Sequence, residues 1–330
     1  MEAVVIGVVV AGILVGAVGT NNTVPPLEMI IRLATRTSPL ALWQARHVAG
    51  LLRLGDPNIQ VVEVGVESKG DRIQDRPLGQ IGGDGLFTKE IQAVVLEGQA
   101  HGAVHSLKDL PTAPVLGLKL GSVPTRGPTG DAFVSIKHKS FDDLPKRARV
   151  GTSSIRRKAQ LLWNRPDLDI VDLRGNVDTR LKKLVDQDLD GIILAEAGLE
   201  RLGLGANITE ILDRNWMLPA VGQGAIGIEV GIPNTLEAQA IESTSDSQSL
   251  AEVLAERAFL VELGGGCLIP VGIDTTVFGM EMHLRGVVIA CDGKRRLEAS
   301  LSGVLADPVA LGSELGRQLL DMGAGEILAL

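Results

Sequence analysis

A glycine-rich turn places a thiol where it could be reached and modified. Cys267 is one of only two cysteines in the chain and directly follows Gly264, Gly265 and Gly266. Three glycines leave open space around the sulfur atom and let the backbone approach a bulky group closely. Such a thiol could carry a covalent group. A second interpretation stays open at this point: the glycines end the preceding helix, and Cys267 packs as a small apolar residue.

A basic pair opens a predicted helix. Arg156 and Arg157 follow Ser153 and Ser154, either of which can cap the helix. Cations in a first turn oppose the helix dipole, which favours negative charge there by about 0.3–1 kcal/mol. An anionic ligand would use the dipole, the free N–H groups and both guanidiniums together. The alternative is a solvated basic surface.

Two further junctions between a strand and a helix carry arginine. Arg174 and Arg180 flank a helix start that Asn176 can cap, and Arg36 stands just before a helix capped by Ser38. Ligands of α/β sheets bind at the ends of the strands. Three cationic junctions in an acidic chain predict a ligand with several carboxylates or phosphates. A nucleotide is less favoured, because the chain has neither a P-loop nor a G-x-G-x-x-G motif after a strand.

A lysine and an aspartate follow another predicted strand. Lys108 and Asp109 stand where the chain leaves the sheet. An aspartate beside a ligand-binding lysine can stabilise developing positive charge or exchange a proton. The alternative is an ordinary surface ion pair, worth about 0–1 kcal/mol. The neighbouring His105 is interpreted as a packed strand residue.

The bulk composition narrows the classes of function. The 330 residues are enough for two or three domains, and the net charge of -8 with 2% aromatics and no Tyr argues against a nucleic-acid-binding protein. Two cysteines do not form a disulfide framework, and no cluster of His and Cys predicts a metal site. Cys291, beside an Asp-Gly hairpin signal, is interpreted as a structural residue at the end of a strand.

Strand and helix signals alternate from Ile30 onward, which predicts α/β domains with helices packed on sheets. After about residue 245 the pattern changes to helix, hairpins and helix, which predicts a small α+β domain. The predicted strands are Ile59–Val66, Gly102–His105, Ala132–Ile136, Ile170–Leu173, Gly191–Ala195, Val271–Val277, Met282–Ala290 and Arg296–Ser302. The predicted helices begin at Pro39 and end near Gly55, run from about Leu86 to Glu97 and from Ser247 to Leu263, and begin at Pro308 and end by Gly323.

The first 28 residues differ from the rest. Residues 3–19 are an uncharged run that would span about 26 Å as a helix, slightly short of a hydrocarbon core of about 30 Å. Glu2 stands where a signal peptide has a basic residue. We expect Met29 to be the natural start and residues 1–28 to be an upstream extension. A weak membrane anchor is the competing interpretation.

From about Met29 to the C-terminus, the chain resembles the porphobilinogen deaminases, also called hydroxymethylbilane synthases. Each matching segment is moderately specific, and their joint order and spacing are highly specific. The segments are Arg32–Ala45 (RLATRTSPLALWQA), Gly82–Glu90 (GGDGLFTKE), Ala103–Pro111 (AVHSLKDLP), Gly151–Arg157 (GTSSIRR), Leu173–Arg180 (LRGNVDTR), Leu218–Ala225 (LPAVGQGA) and Glu256–Pro270 (ERAFLVELGGGCLIP).

The resemblance implies an α/β fold of two lobes like those of type II periplasmic binding proteins, plus a small α+β C-terminal domain that carries the cofactor cysteine. The implied ranges are 1–28 for the extension, 29–124 plus 225–243 for domain 1, 125–224 for domain 2 and 244–330 for domain 3.

The resemblance also implies an activity and a set of site residues. Cys267 would bear a dipyrromethane cofactor through a thioether, four porphobilinogen molecules would be added with release of ammonia, and hydrolysis would free hydroxymethylbilane. Asp109 would be the catalytic carboxylate, stabilising cationic pyrrole species and assisting proton transfer. Because every pyrrole ring carries an acetate and a propionate, cations are suitable ligands. The implied cofactor-side ligands are Lys108, Ser154, Arg156, Arg157 and Arg180, and the implied substrate-side ligands are Arg36, Ser38, Arg174 and Arg201. Gln223 and Gly224 would be hinge residues between the domains.

Two positions depart from the family pattern. Asp84 stands where the family commonly has Lys, and Gly130 where it commonly has Arg just before DAFV. We expect an enzyme without a metal, monomeric and cytoplasmic, with no nucleic-acid partner and no membrane partner unless residues 3–19 are an anchor. The alternative is a membrane-tethered, two-lobed binding protein for a polycarboxylate, without catalysis.

Overall fold

The computed structural model describes residues 29–68, 70, 85–266 and 269–329. Its strands, in chain order, are β1 (Ile30–Arg36), β2 (Gln60–Val66), β3 (Gly102–Ser106), β4 (Leu118–Ser122), β5 (Asp131–Val134), β6 (Arg149–Gly151), β7 (Asp169–Val171), β8 (Gly191–Ala195), β9 (Glu210–Ile211), β10 (Ile226–Gly231), β11 (Val271–Phe278), β12 (Glu281–Ile289) and β13 (Arg296–Val304). Its α-helices are α1 (Pro39–Gly55), α2 (Lys89–Leu96), α3 (Ile155–Asn164), α4 (Val177–Asp186), α5 (Glu196–Arg201), α6 (Leu236–Glu242), α7 (Ser247–Glu262), α8 (Pro308–Asp321) and α9 (Ala324–Leu328).

Two five-stranded sheets with the same pattern of strand directions form two lobes. The first has the order β2-β1-β3-β10-β4, in which β1 is parallel to β2 and β3 while β10 is antiparallel to both of its neighbours. The second has the order β7-β6-β8-β5-β9, with β6 parallel to β7 and β8 and with β5 antiparallel to β8 and β9. Each lobe therefore presents the ends of its parallel strands, where helices begin, to the space between the lobes.

The chain passes between the lobes twice. It leaves the first sheet after β4 to enter β5, and it returns after β9 to form β10. The two crossover segments touch, since the Gly127 N–H donates to the Gly224 carbonyl oxygen over 3.1 Å.

The third domain is an antiparallel sheet, β11-β12-β13, covered by α7, α8 and α9. Helices α7 and α8 pack backbone to backbone. A Cβ atom on Gly312 would lie 1.9 Å from the Ala255 carbonyl oxygen, and one on Gly316 would lie 2.6 Å from the Glu262 Cβ atom. Only glycine permits this separation of the two helices.

The predicted fold class is confirmed: two α/β lobes are followed by an α+β domain. The strands of each sheet fall inside the range predicted for one domain, while the domain boundaries themselves stay a prediction. Residues 1–28, the extension, lie outside the described residues. In the described part of the chain, no helix has both the length and the apolar composition needed to cross a bilayer.

The predicted element ends agree with the structure to within two residues except at the start of α2, and two of the differences have a visible physical reason. Helix α2 begins at Lys89 rather than near Leu86, because Gly85 turns the chain at φ +84° and its carbonyl oxygen accepts hydrogen bonds from the N–H groups of Thr88 and Lys89. Strand β5 ends at Val134 rather than at Ile136, because the Ser135 hydroxyl accepts from the next backbone N–H groups and turns the chain.

Candidate active site

A short 3₁₀ turn, Leu107–Asp109, presents Lys108 and Asp109 at the end of β3. Its anchor is Leu107, which is 1% exposed. Cβ atoms on Gly222 and Gly227 would lie 2.5 Å and 2.4 Å from the Leu107 side chain, so both positions require glycine. Burial of Leu107 leaves the two polar side chains half-buried at the surface of a cleft.

The cleft contains two adjoining cavities of about 260 and 270 Å³. They share one wall. Among the described residues that line both cavities, Asp109 is the only one with a carboxylate. The residues that line both cavities are Phe87, Lys108, Asp109, Ser153, Arg157 and Arg180. A group held in one cavity and a group held in the other would both contact Asp109.

All ten predicted site residues that the structure describes border these cavities. Arg36, Ser38, Arg174 and Arg201 line the first, Ser154 and Arg156 line the second, and the other four line both. The eleventh, Cys267, and the departure at Asp84 lie outside the described residues. The structure brings the ten together, while the role of each stays a prediction.

Two helix starts face the cleft with the predicted serine caps. The Ser38 hydroxyl accepts from the Ala41 N–H at the start of α1, and the Ser154 hydroxyl accepts from the Arg157 N–H at the start of α3, each over 3.4 Å. Asn176 has the backbone geometry of a cap before α4, without a side-chain hydrogen bond. Helix starts of this kind leave N–H groups free for an anion.

Asp131, which no sequence pattern indicated, is the counter-charge of the basic pair. Its carboxylate, whose side chain is 0% exposed, lies 2.6 Å from Arg156 Nη1 and 2.7 Å from Arg157 Nη2. Gln223 donates to the same carboxylate over 3.1 Å. Burial alone would raise the pKa of Asp131, but Arg156 and Arg157 outweigh it and hold that pKa below its usual range. The basic first turn of α3 predicted an anionic ligand. Part of that negative charge is supplied by the Asp131 side chain on β5.

The basic pair nevertheless keeps capacity for a ligand. The Arg156 Nε atom is buried without a hydrogen-bond partner, and Arg157 borders both cavities. An unpaired buried N–H group favours an acceptor placed beside it.

Lys108 and Arg180 are cations held in a poorly solvated place. Burial is the main cause that lowers the pKa of Lys108 from 10.5 to about 8, and the nearby Arg157 is the next. Burial, followed by Arg157, lowers the pKa of Arg180 to about 10. Cations crowded in this way are stabilised by an anionic ligand.

The crossover segments are fixed to the third domain by a buried ion cluster, which the sequence analysis also missed. Arg126 contacts both carboxylate oxygens of Glu256 over 2.7 and 3.0 Å and lies 3.3 Å from Glu252. It also donates to the Gln223 carbonyl oxygen over 2.9 Å, and the Gly222 N–H donates to Glu256. Gln223 therefore lies in a buried junction of three segments, and its role as a hinge stays a prediction.

The loop that leads to Cys267 is held against the segment that follows Asp109. Thr112 donates to the Gly265 carbonyl oxygen over 3.1 Å. From α7, Arg257 donates to the carbonyl oxygens of Leu110 and Pro111 over 3.1 and 2.8 Å. Gly266 lines the second cavity, which places the residue before Cys267 at the edge of that cavity.

Gly130, the second departure, lies where a side chain would have little room. A Cβ atom there would be 2.3 Å from Glu196 Oε2 and 2.9 Å from Ile211 Cγ2. Any larger residue at this position requires Glu196 to adopt another rotamer.

Comparisons with known proteins cover almost the whole described chain. Residues 31–237 match the family described as "Porphobilinogen deaminase, dipyromethane cofactor binding domain", and residues 250–321 match "Porphobilinogen deaminase, C-terminal domain". The chain is 46% identical over 301 residues to a porphobilinogen deaminase of Syntrophotalea carbinolica, covering 91% of this chain and 95% of that protein. It is 46% identical over 298 residues to one of Pelotomaculum thermopropionicum, covering 90% and 96%. Among solved structures, a methionine binding protein, MetQ, is similar with a TM-score of 0.43 and 11% identity over 69% of this chain and 94% of that one.

Proposed function

The chain belongs to the porphobilinogen deaminase family, and we propose that it is a hydroxymethylbilane synthase of tetrapyrrole biosynthesis. The reaction joins four porphobilinogen molecules head to tail onto a cysteine-linked dipyrromethane. Each addition forms one carbon–carbon bond between pyrrole units and releases one ammonia. Water then releases the linear tetrapyrrole.

The observation that carries this proposal is the position of Asp109 in the wall between two cavities lined by cations. A carboxylate that borders both partners can stabilise positive charge on their ring nitrogens while two pyrroles are joined. Asp109 would hold or move the proton at ring nitrogen. The cations around it would bind carboxylates through charge-assisted hydrogen bonds of roughly 1.5–3 kcal/mol each.

The second cavity fits the dipyrromethane cofactor. Arg156, whose Nε atom is buried without a hydrogen-bond partner, lines this cavity, and Gly266 at its edge leads directly to Cys267. We assign the thioether to Cys267 and the carboxylate contacts to Lys108, Ser154, Arg156, Arg157 and Arg180. When bound, this cofactor supplies the pyrrole carbon to which the substrate is joined.

We assign the first cavity to porphobilinogen, with Arg36, Ser38, Arg174 and Arg201 as ligands of its two carboxylates. Arg36 also lies over the Phe87 ring, with its Cζ atom 4.5 Å from the ring centroid, which fixes the guanidinium at the boundary between the cavities.

We further propose a cytoplasmic monomer that acts on a small molecule without a nucleic-acid or membrane partner. The alternative, a tethered binding protein without catalysis, is not favoured, because the relatives are named as deaminases and the similarity includes the C-terminal domain.

Intact mass spectrometry under denaturing conditions, combined with turnover assays, tests the proposal. We expect a mass increment of two pyrrole units on Cys267 and no increment and no product for Cys267→Ser. We expect Asp109→Asn to lower kcat by about 100-fold or more, as for loss of an acid–base group. Asp321→Asn, the same change on the exposed end of α8, is the control. Normal tetrapyrrole release by Cys267→Ser would contradict the proposal.

A further inference from the structure

Arg201 reaches from the second lobe across the cleft to the first. It is the last residue of α5, and its Cζ atom lies 5.4 Å from the centroid of the Trp43 ring on α1. Its Nη2 atom donates to the Gly224 carbonyl oxygen over 2.6 Å, and the side chain lines the first cavity. One guanidinium is thus held by both lobes and by a crossover segment.

The contacts of Arg201 leave its charge uncompensated. In the described part of the chain, no carboxylate lies within ion-pair distance of it, and burial is the cause that lowers its pKa to about 10. Arg157, by contrast, lies 2.7 Å from the Asp131 carboxylate. An aromatic face and a carbonyl oxygen can orient a guanidinium without neutralising it, since neither carries a net charge. The positive charge of Arg201 stays available to a carboxylate in the cavity.

The Trp43 ring is itself held in place. His47, one turn further along α1, stacks on it with ring centroids 5.1 Å apart and an interplanar angle of 8°. Burial, and then the nearby Arg201, lower the pKa of His47, so the imidazole is neutral at pH 7 and adds no competing cation. The stack forms a neutral aromatic platform under Arg201.

We infer that Trp43 is a positioning residue for porphobilinogen binding: its ring holds Arg201 across the two lobes with the guanidinium charge intact. The inference rests on the proposed function, in which Arg201 binds a substrate carboxylate. It predicts that removing the aromatic face weakens substrate binding, although Trp43 itself does not line either cavity.

Steady-state kinetics of Trp43→Leu, Trp43→Phe and Trp163→Leu separate positioning from general damage. A contact of this kind in a partly desolvated site corresponds to an increase in KM of about 5- to 30-fold for Trp43→Leu. We expect kcat to stay within about twofold, because the group lost acts on binding rather than on the reacting atoms. Trp43→Phe should restore most of the affinity, since a phenyl ring keeps the aromatic face. Trp163 on α3 is 44% exposed and lines neither cavity, so Trp163→Leu is the matched control.

Arg201→Leu distinguishes the two possible failures. If it leaves KM unchanged, the assignment of Arg201 to the substrate is wrong. If it raises KM while Trp43→Leu does not, or if Trp43→Phe is as impaired as Trp43→Leu, the inference about Trp43 is wrong.

Tryptophan fluorescence tests the contact without substrate or turnover. The chain has three tryptophans, so the double variant Trp163→Phe with Trp216→Phe leaves Trp43 as the only one. In that background, Arg201→Leu should shift the emission of Trp43, because the guanidinium over the ring is lost. Identical emission spectra with and without the Arg201 change would overturn the inference, and this measurement keeps Trp43 itself intact.

Discussion

Replacing Asp131 with asparagine should destabilise the protein strongly. The change removes the negative charge that lies 2.6 Å from Arg156 and 2.7 Å from Arg157 and leaves both guanidiniums, each 5% exposed, without a buried counter-ion. Breaking a buried pair by removing one partner costs about 3–5 kcal/mol, because the remaining charge is neither solvated nor paired. Urea denaturation followed by circular dichroism would show this as a lower midpoint.

The control for Asp131→Asn is Asp167→Asn. Asp167 contacts Arg165 with equally good geometry, 2.8 Å to Nε and 2.8 Å to Nη2, but its side chain is 31% exposed. Solvent screens that pair, so we expect a much smaller shift of the midpoint. Equal shifts for the two variants would refute the reasoning, because Asp131 is buried between two arginines, whereas Asp167 pairs with one arginine in contact with solvent.

The pH dependence of the same variant gives a second check. The Asp131 pKa is depressed in the folded state, so its contribution to stability is present above the unfolded pKa of about 4 and is lost only as the pH falls through the folded value. The stability difference between the wild type and Asp131→Asn should therefore stay constant from pH 7 down to about 5. A stability difference that changes between pH 7 and pH 5 would mean that Asp131 titrates in that window in the folded protein, so that its pKa is not held below its usual range.

Three further predictions concern the cleft and its support. Because burial lowers the pKa of Lys108 to about 8, the charged fraction of Lys108 falls about tenfold between pH 7 and pH 9, and kcat/KM should fall with it. Lys108→Arg should flatten this pH dependence. A pH profile that is the same for Lys108→Arg and the wild type would contradict the prediction. Glu256→Gln should lower the urea midpoint by less than Asp131→Asn does, because Arg126 still has a counter-ion, Glu252, at 3.3 Å. A larger shift for Glu256→Gln would contradict this explanation. Gly312→Ala should lower the free energy of unfolding by about 1–3 kcal/mol, because it forces α7 and α8 apart. The control Gly325→Ala, which has open space around the added methyl group, should not lower it. Equal melting temperatures for the two variants would contradict the prediction.

Local signals in the sequence were sufficient for most elements. The Ser38-Pro39 start and the Gly55 end of α1 are visible in one short continuous stretch of sequence, and the structure reproduces both. The hairpin strands of the third domain could be predicted for the same reason, since their alternation and turn signals are short-range.

The partners of the site residues could not be predicted in this way. Asp131 precedes Arg156 by 25 residues, and Arg126 precedes Glu256 by 130, so no local pattern relates them. The basic first turn of α3 predicted an anionic ligand, and a local pattern could not indicate that Asp131 of the same chain supplies a negative charge there. Trp43 and Arg201 likewise meet only because the two lobes fold against each other.

The backbone contact between α7 and α8 has a mechanical consequence. Because Gly312 and Gly316 leave no room for a Cβ atom between the helices, a shift of α7 along α8 would break this close packing. Helix α7 also contacts the crossover segments through Glu256 and the segment after Asp109 through Arg257. These contacts connect the turn at 107–109, the crossover segments and residues 264–266 to the third domain. Withdrawal of residues 264–266 from the cleft would therefore require breaking the hydrogen bond from Thr112 to Gly265 and the close packing of α7 on α8.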